Sequence, residues 1–454
     1  MKKLLVANRG EIACRVARSA ASLGIATVGV YSEVDSNALH VRNCDEAMLI
    51  GPAKATDSYL NVDRVIDAAK QTNADAIHPG YGFLAENAMF AQRVSDEGLI
   101  WVGPNPDQIS AMGDKERARA IAGAAGVPVL KGSPRFTPDN LDGLHDAARA
   151  VGFPLLVKAS AGGGGIGMRL VDDPDQLEKT VTSTQSMAER SFGDGTVFLE
   201  RFIPKARHIE IQVFGLGDGR ALHFYERECS IQRRFQKVIE EAPAVGFPTD
   251  MRDQMSEAAV ALCQAQSYSG AGTAEFIVNA QSNEFYFLEM NTRIQVEHPV
   301  TEMTTDTDLV ALQIRLAGGE DLSSLTQDKI KQTGHAIECR LYAENPDKMF
   351  MPSPGTLEKL QLANTSDRVR IDSGVVEGDV ISPYYDPMLA KVICAGETRT
   401  DALDLMVKSL NSTTIEGIAN NVEFLEKVVS HSKFRDGDVF TGFIESYKSD
   451  LINS

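Results

Sequence analysis

Apolar runs and helical spacings alternate through the first hundred residues. Residues 3–7 are a short apolar run, Asn8-Arg9-Gly10 turns, residues 11–23 repeat at helical spacing, and residues 26–31 are apolar again. More units of this kind run through Ala76-Ile77-His78 and residues 99–103. That order predicts a parallel sheet with helices on both faces. Residues 104–130 read as helical. A strand (153–159), a glycine loop (162–167) and a second strand (168–171) come next. From about residue 204 the pattern predicts a larger α+β unit ending in a helical, charged stretch. The expected fold class is thus α/β followed by α+β, in units spanning residues 1–114, 115–203 and 204–454.

The stretch from Glu289 to Glu297 alternates with period two. In a strand this places Glu289, Asn291, Arg293, Gln295 and Glu297 on one face, with Met290, Ile294 and Val296 behind. The wet face of an ordinary half-buried strand is usually Thr, Ser and Lys. Here it offers two carboxylates, two amides and a guanidinium. Such a face can hold a divalent cation at one end and a small oxyanion at the other; a solvated edge strand is the alternative. The preceding hairpin pairs residues 274–278 with 285–289. Its even separation allows Glu275 to face Glu289, with 277 facing 287 around Ser282. Carboxylates that close repel unless a cation intervenes, which implies Mg²⁺ or Mn²⁺. A solvated pair at the sheet edge is the simpler reading.

Five glycines in the six positions 162–167 follow the strand that ends near Lys158. A Walker loop or a Rossmann turn would open a helix, and here a strand follows, so neither fits. A glycine hairpin tip can lay its N–H groups over phosphates and close as a lid on a nucleotide; a flexible surface hairpin is the alternative. No GxGxxG follows the first strand, so a dinucleotide site is not supported there. His78-Pro79-Gly80-Tyr81-Gly82-Phe83 lies where a strand ends, the usual place for ligands in parallel sheets. A capped loop histidine fits His78 equally well.

Length and charge narrow these readings. A chain of 454 residues is too long for one core. A net charge of −18 argues against nucleic acid as a partner. No apolar run is long enough for a membrane span, and polar residues 8, 9 and 11 interrupt the signal-like start. Six scattered cysteines without CxxC spacing predict reduced thiols and a cytoplasmic location.

Taken in order, residues 8–13, 78–84, 162–168, 226–242, 289–303, 352–356 and 382–386 resemble the biotin carboxylase family of ATP-grasp enzymes over nearly the whole chain. The resemblance implies a Rossmann-like N-terminal domain, a mobile glycine-rich lid and an ATP-grasp C-terminal domain. It also implies ATP- and Mg²⁺-dependent carboxylation of biotin by bicarbonate. Lys115, Lys158, Gly164 and Gly165 would meet the nucleotide phosphates. Glu200, Arg201 and Ile203 would form the adenine hinge, with His208 and Gln232 near the ribose and phosphates. Glu275 and Glu289 would bind the metal, assisted by Asn291. Lys237, Arg293, Gln295 and the Val296 backbone would hold bicarbonate, with Glu297 as base. Arg340 and Tyr81 would line the biotin pocket.

The sequence departs from the family pattern at two places. Phe235 stands where His or Asn is usual, and Asp306 replaces a glycine, which predicts a shifted turn. No Met-Lys-Met biotin-attachment signature occurs, so the biotin is expected on a carrier chain or elsewhere in a longer polypeptide. A carboxyltransferase partner and a homodimer are implied by the family. The tail Thr441–Glu445 looks more like acyl-CoA carboxylase α chains than the stand-alone acetyl-CoA subunit. Another ATP-grasp ligase, joining a carboxylate to an amine, and a non-catalytic module are the competing readings.

Overall fold

The structure is a computed structural model, and it describes residues 1–452 except 131, 161–166, 235 and 283. Five parallel strands open the chain: β1 (Lys3–Val6), β2 (Ala26–Ser32), β3 (Glu46–Gly51), β4 (Ala76–His78) and β5 (Ile100–Trp101), in spatial order β3-β2-β1-β4-β5. Leu4, Leu5 and Val6 are fully buried, as a strand covered on both faces requires. The loops after β1 and β4 are tied together, because the Asn8 amide donates to the carbonyls of Pro79 and Tyr81, both at 2.7 Å. His78 is buried, accepts from the Gly80 N–H at 2.9 Å, and is pushed by burial down to about 4. It lines neither of the two large cavities, so the capped-loop reading holds for it.

A three-stranded antiparallel sheet follows: β6 (Leu155–Ala159), β7 (Met168–Val171) and β8 (Val197–Arg201), in order β7-β6-β8. Leu155 and Val157 pack on a core with Leu144, Val151, Leu177 and Val181. Period-two alternation therefore turns Lys158 to the other side. Gly164 and Gly165, the expected phosphate cover, lie outside the described residues.

The largest sheet has eight antiparallel strands. Its order is β13-β12-β9-β10-β11-β14, then Met388–Gly396 and Val369–Ser373. Here β9 is Ala206–Leu216, β10 Ala221–Arg233, β11 Gln236–Ala242, β12 Ser269–Asn279, β13 Glu284–Asn291 and β14 His335–Tyr342. One stretch of it packs on helix Thr249–Ala265 through Ile211, Val213, Met255 and Leu262. Glu275 does face Glu289, but the pairing then slips: Phe276 faces Phe287 and Ile277 faces Tyr286. The expected 277–287 pairing is corrected by a bulge at Leu288, the extra residue on β13.

The strand expected through Glu297 ends at Asn291. The Thr292 N–H leaves the ladder and donates to Glu86 at 3.1 Å, after which the chain turns into helix His298–Thr305. Asp306 caps that helix at φ 50°, ψ 46°. The expected shifted turn is corrected too: the aspartate itself takes the left-handed conformation that glycine favours, which its short polar side chain tolerates.

An ion cluster clamps the C-terminal helices to the large sheet. Glu241 on β11 accepts from His335 at 2.7 Å and from Arg399 at 2.6 Å, and Arg399 also donates to the carbonyls of Phe434 and Arg435, both at 2.8 Å. Burial would raise the Glu241 pKa, but His335 and Arg399 outweigh it and hold the carboxyl down to about 2 from its usual 4.5. A depressed carboxyl stabilises the fold above its unfolded value and loses that contribution as pH falls toward the folded one. About 3 kcal/mol is therefore expected to fade between pH 4.5 and 2. Thermal midpoints should show Glu241→Gln well below wild type at pH 7, with the gap narrowing at pH 3.

Candidate active site

The small sheet and the eight-stranded sheet face each other across a cleft of about 600 Å³. The small sheet contributes Lys158, Met168, Phe198 and Glu200 to it, and the large one His208, Gln232, Lys237, Glu275 and Glu289. Glu200 is buried and paired with Lys158 and with Arg119 at 2.8 Å. Arg201 and Ile203 do not line the cleft. Alternation along β8 turns Arg201 outward, and Ile203, past the strand end, packs with Leu130 and Ala206. Lys115 reaches in from helix Lys115–Ala124, with its ammonium 3.5 Å from Glu289.

Lys237 is the centre of the cleft floor. Its ammonium donates to Glu210 at 2.6 Å, Glu275 at 2.9 Å and Glu297 at 2.6 Å. Burial works against the charged form, but the three carboxylates outweigh it and hold the lysine well above its ordinary range. Glu297 is buried as well, and its second oxygen accepts from Arg340 at 3.0 Å. Despite that burial, Lys237, Arg340 and Arg227 keep its carboxyl well below the usual range, so it is ionised. Behind Arg340, Glu240 and Glu338 face each other on β11 and β14, and burial pushes Glu240 up to about 7 and Glu338 well above the ordinary carboxylate range.

The residues after the strand end still present most of the expected face. Asn291, Arg293, Gln295 and Glu297 line the cleft, while Ile294 is buried in the core behind them. Val296, expected behind with Ile294, is corrected: the chain has left the strand by then, so strict alternation no longer holds, and Val296 lines the cleft as well. Arg227 does much of this positioning. Fully buried, it donates to Glu210, to Gln212 at 2.7 Å, to Thr301 at 3.0 Å, to Thr273 at 3.2 Å and to Gln295 at 2.7 Å. The Gln295 amide in turn donates to Glu275 at 2.7 Å. Arg293 is steered by Glu86 at 2.9 Å and by Asn291 at 3.0 Å. Sequence reasoning missed Glu86, Glu210 and Arg227. The alternation His208, Glu210, Gln212 along β9 carried a signal for one of them, as a second polar face of the kind read at 289–297.

A divalent cation fits one end of this cleft. Glu275 and Glu289 are direct cross-strand partners, close enough for both carboxylates to reach one ion, and Asn291 lies two residues on. Glu275 Oε1 already accepts from Lys237, Asn291 and Gln295, whereas among the described residues Oε2 meets only His208, at 2.9 Å. Glu289 is partly exposed, with Lys115 as its ion contact. Other groupings among the described residues fit less well. His208, Glu210 and Glu275, and likewise Glu210, Cys229 and Glu297, gather ligand atoms within 4.8 Å, but the Lys237 ammonium bonds to all three of those glutamates.

A second cavity of about 560 Å³ shares Gln236, Arg293, Val296 and Arg340 with the first. Tyr81, Phe83, Tyr342, Tyr384, Tyr385 and Asp386 line the rest of it. Arg340 thus stands at the junction, reaching Glu297 on one side and open to an aromatic pocket on the other.

Residues 1–109 match the family described as biotin carboxylase, N-terminal domain, and residues 338–446 match biotin carboxylase C-terminal domain. Residues 114–325 match carbamoyl-phosphate synthase L chain, ATP binding domain. Biotin carboxylase 1 of Bacillus subtilis is 48% identical over 98% of the chain and 99% of that protein. The chain belongs to the biotin carboxylase family. The mitochondrial methylcrotonoyl-CoA carboxylase subunit alpha of rice (Oryza sativa subsp. japonica) is 50% identical over the whole chain, which spans 61% of that longer protein. Among solved structures, the biotin carboxylase domain dimer of Hydrogenobacter thermophilus 2-oxoglutarate carboxylase, in complex with MgADP, ADP and bicarbonate, superposes with a TM-score of 0.94. It is 41% identical over 100% of this chain and 99% of that one. The biotin carboxylase fold, a parallel N-terminal sheet beside the antiparallel sheets of an ATP-grasp unit, is the one described above.

Proposed function

We propose that the chain carboxylates biotin with ATP and bicarbonate, as the first half-reaction of a biotin-dependent carboxylase. The observation that carries this reading is the Lys237–Glu297–Arg340 chain, which joins the nucleotide-sized cleft to the aromatic cavity. Lys115 and Lys158 would bind phosphates, Glu200 the adenine side, and His208 and Gln232 the ribose side. Glu275 and Glu289, with Asn291, would hold Mg²⁺, which screens the charge that develops on the phosphates. Lys237, Arg293, Gln295 and the Val296 backbone would seat bicarbonate beside Glu297.

The chemistry follows from those placements. A bicarbonate oxygen attacks the γ-phosphorus, ADP leaves, and the bicarbonate proton passes to Glu297. Glu297 is a weak base where it stands. The same cations lower the pKa of bound bicarbonate, which offsets that weakness. The carboxyphosphate formed breaks to CO₂ and phosphate, the phosphate takes the biotin N1 proton, and the nitrogen attacks CO₂. Arg340 would hold the ureido oxygen as it gains charge, with Tyr81 beside it.

The domain division at 114 and 203 belongs to this reading, as do a homodimer, a biotin carrier and a carboxyltransferase. An acyl-CoA acceptor is favoured by the likeness to methylcrotonoyl-CoA carboxylase α subunits. All six cysteines are unpaired, in keeping with a reducing compartment such as the cytoplasm. No helix among the described residues is long and apolar enough to cross a membrane.

ADP release with MgATP should require bicarbonate and rise with free biotin; release indifferent to bicarbonate would move the reading to another ATP-grasp ligase. Chelating the divalent cation should abolish the release. Glu289→Gln should raise the Mg²⁺ needed for half-maximal rate at least about tenfold, the effect seen even for groups that only orient a ligand. An unchanged Mg²⁺ titration would remove Glu289 from the site.

A further inference from the structure

Lys391 has no part in the reaction as described, yet it is fully buried beside both cavities. It lies on strand Met388–Gly396, directly opposite Arg340 on β14. Its ammonium donates to the Val296 carbonyl at 2.8 Å. It also stands 3.2 Å from Glu11 and 3.9 Å from Asp372. Glu11, in the first turn of helix Gly10–Ser22, accepts the Tyr81 hydroxyl on the same oxygen that faces the lysine. Asp372 is also held by Arg370, on the oxygen that faces the lysine, and by Arg18 on the other.

A buried ammonium is expensive, and an apolar residue would fill the space at less cost. What the charge achieves here is geometric. Fixing the Val296 carbonyl fixes the plane of the peptide bond between Val296 and Glu297. It thereby sets the backbone that launches the Glu297 side chain, at the N-cap of helix His298–Thr305. The same ammonium, through Glu11, steadies Tyr81 in the second cavity. Val296 lines both cavities, so one lysine braces the turn on which the two sites meet.

We infer that Lys391 is a positioning residue that locks the Val296–Glu297 turn and ties it, through Glu11, to Tyr81. This rests on the carboxylase reading above. The lysine touches no reactant; it holds the backbone that does.

Two variants test it, Lys391→Met and Lys391→Met with Glu11→Gln. The single variant strands a buried carboxylate and should lower the thermal midpoint; the double variant removes that carboxylate and should recover the midpoint. Nucleotide affinity should stay within about twofold in the double variant, while the KM for bicarbonate in ADP release stays raised about tenfold or more, the cost of a misplaced contact. A bicarbonate KM that returns to the wild-type value together with the midpoint would overturn the inference, because neutralising Glu11 would then be the whole role. Wild-type protein without bicarbonate-dependent release would sink the carboxylase reading and this inference together. A wild type with normal dependence beside a double variant of unchanged KM removes the inference alone.

Discussion

Glu297→Gln is expected to lower bicarbonate-dependent ADP release by about a hundredfold or more, the usual contribution of a positioned base, with ATP affinity largely kept. The amide matches the carboxylate in shape and can still accept from Lys237 or Arg340, but it cannot take a proton. Lys237 retains Glu210 and Glu275, so the floor of the cleft should stay assembled. Because Lys237 and Arg340 hold Glu297 ionised well below the ordinary carboxylate range, the acid limb of the wild-type rate should not report this residue. Single-turnover release with and without bicarbonate, beside a nucleotide titration, reads both effects. Normal turnover in the variant would move the base elsewhere.

The second large effect is expected at Arg227. Replacing it by Met removes five hydrogen bonds from the interior and takes the guanidinium donor from the side-chain oxygens of Gln212, Thr301, Thr273 and Gln295, while among the described residues Glu210 keeps Lys237 as its cationic partner. Breaking a buried ion pair from one side costs roughly 3–5 kcal/mol, so the thermal midpoint should fall by many degrees. Activity should suffer beyond that loss, since Gln295 no longer has the guanidinium that aims it at Glu275. Arg227→Lys is the informative control. It restores the charge but cannot fork to Glu210, Gln212 and Gln295 together, so it should recover part of the midpoint and little of the bicarbonate KM. A lysine variant equal to wild type in both would show that charge alone is needed there.

Much of this architecture was legible in one dimension. The parallel unit, the strand–loop–strand hairpin and the antiparallel pair that opposes Glu275 to Glu289 follow from period and turn residues, which act over a few neighbours. The polar face at 289–297 was legible too, though not as a strand. Alternation survives the exit at Asn291 as far as Ile294, which must still be buried while Arg293 and Gln295 meet the cleft; it fails at Val296, where the turn into the next helix puts successive residues on the cleft. The bulge at Leu288 was not legible, since nothing local distinguishes an extra residue from an in-register one.

What the chain alone determined is therefore which chemical groups the site can draw on, because apolar patterning settles which face of each element is buried. Only the tertiary structure decided how those groups are charged and aimed. Lys237 sits among Glu210, Glu275 and Glu297, contacts spanning up to 60 residues, and Lys391 reaches Val296 across 95. Long-range pairs of this kind leave no periodic trace in sequence. They arise where sheets and turns from distant segments exclude water together, and in that dry setting the neighbouring charge, more than residue type, sets each group's protonation and direction.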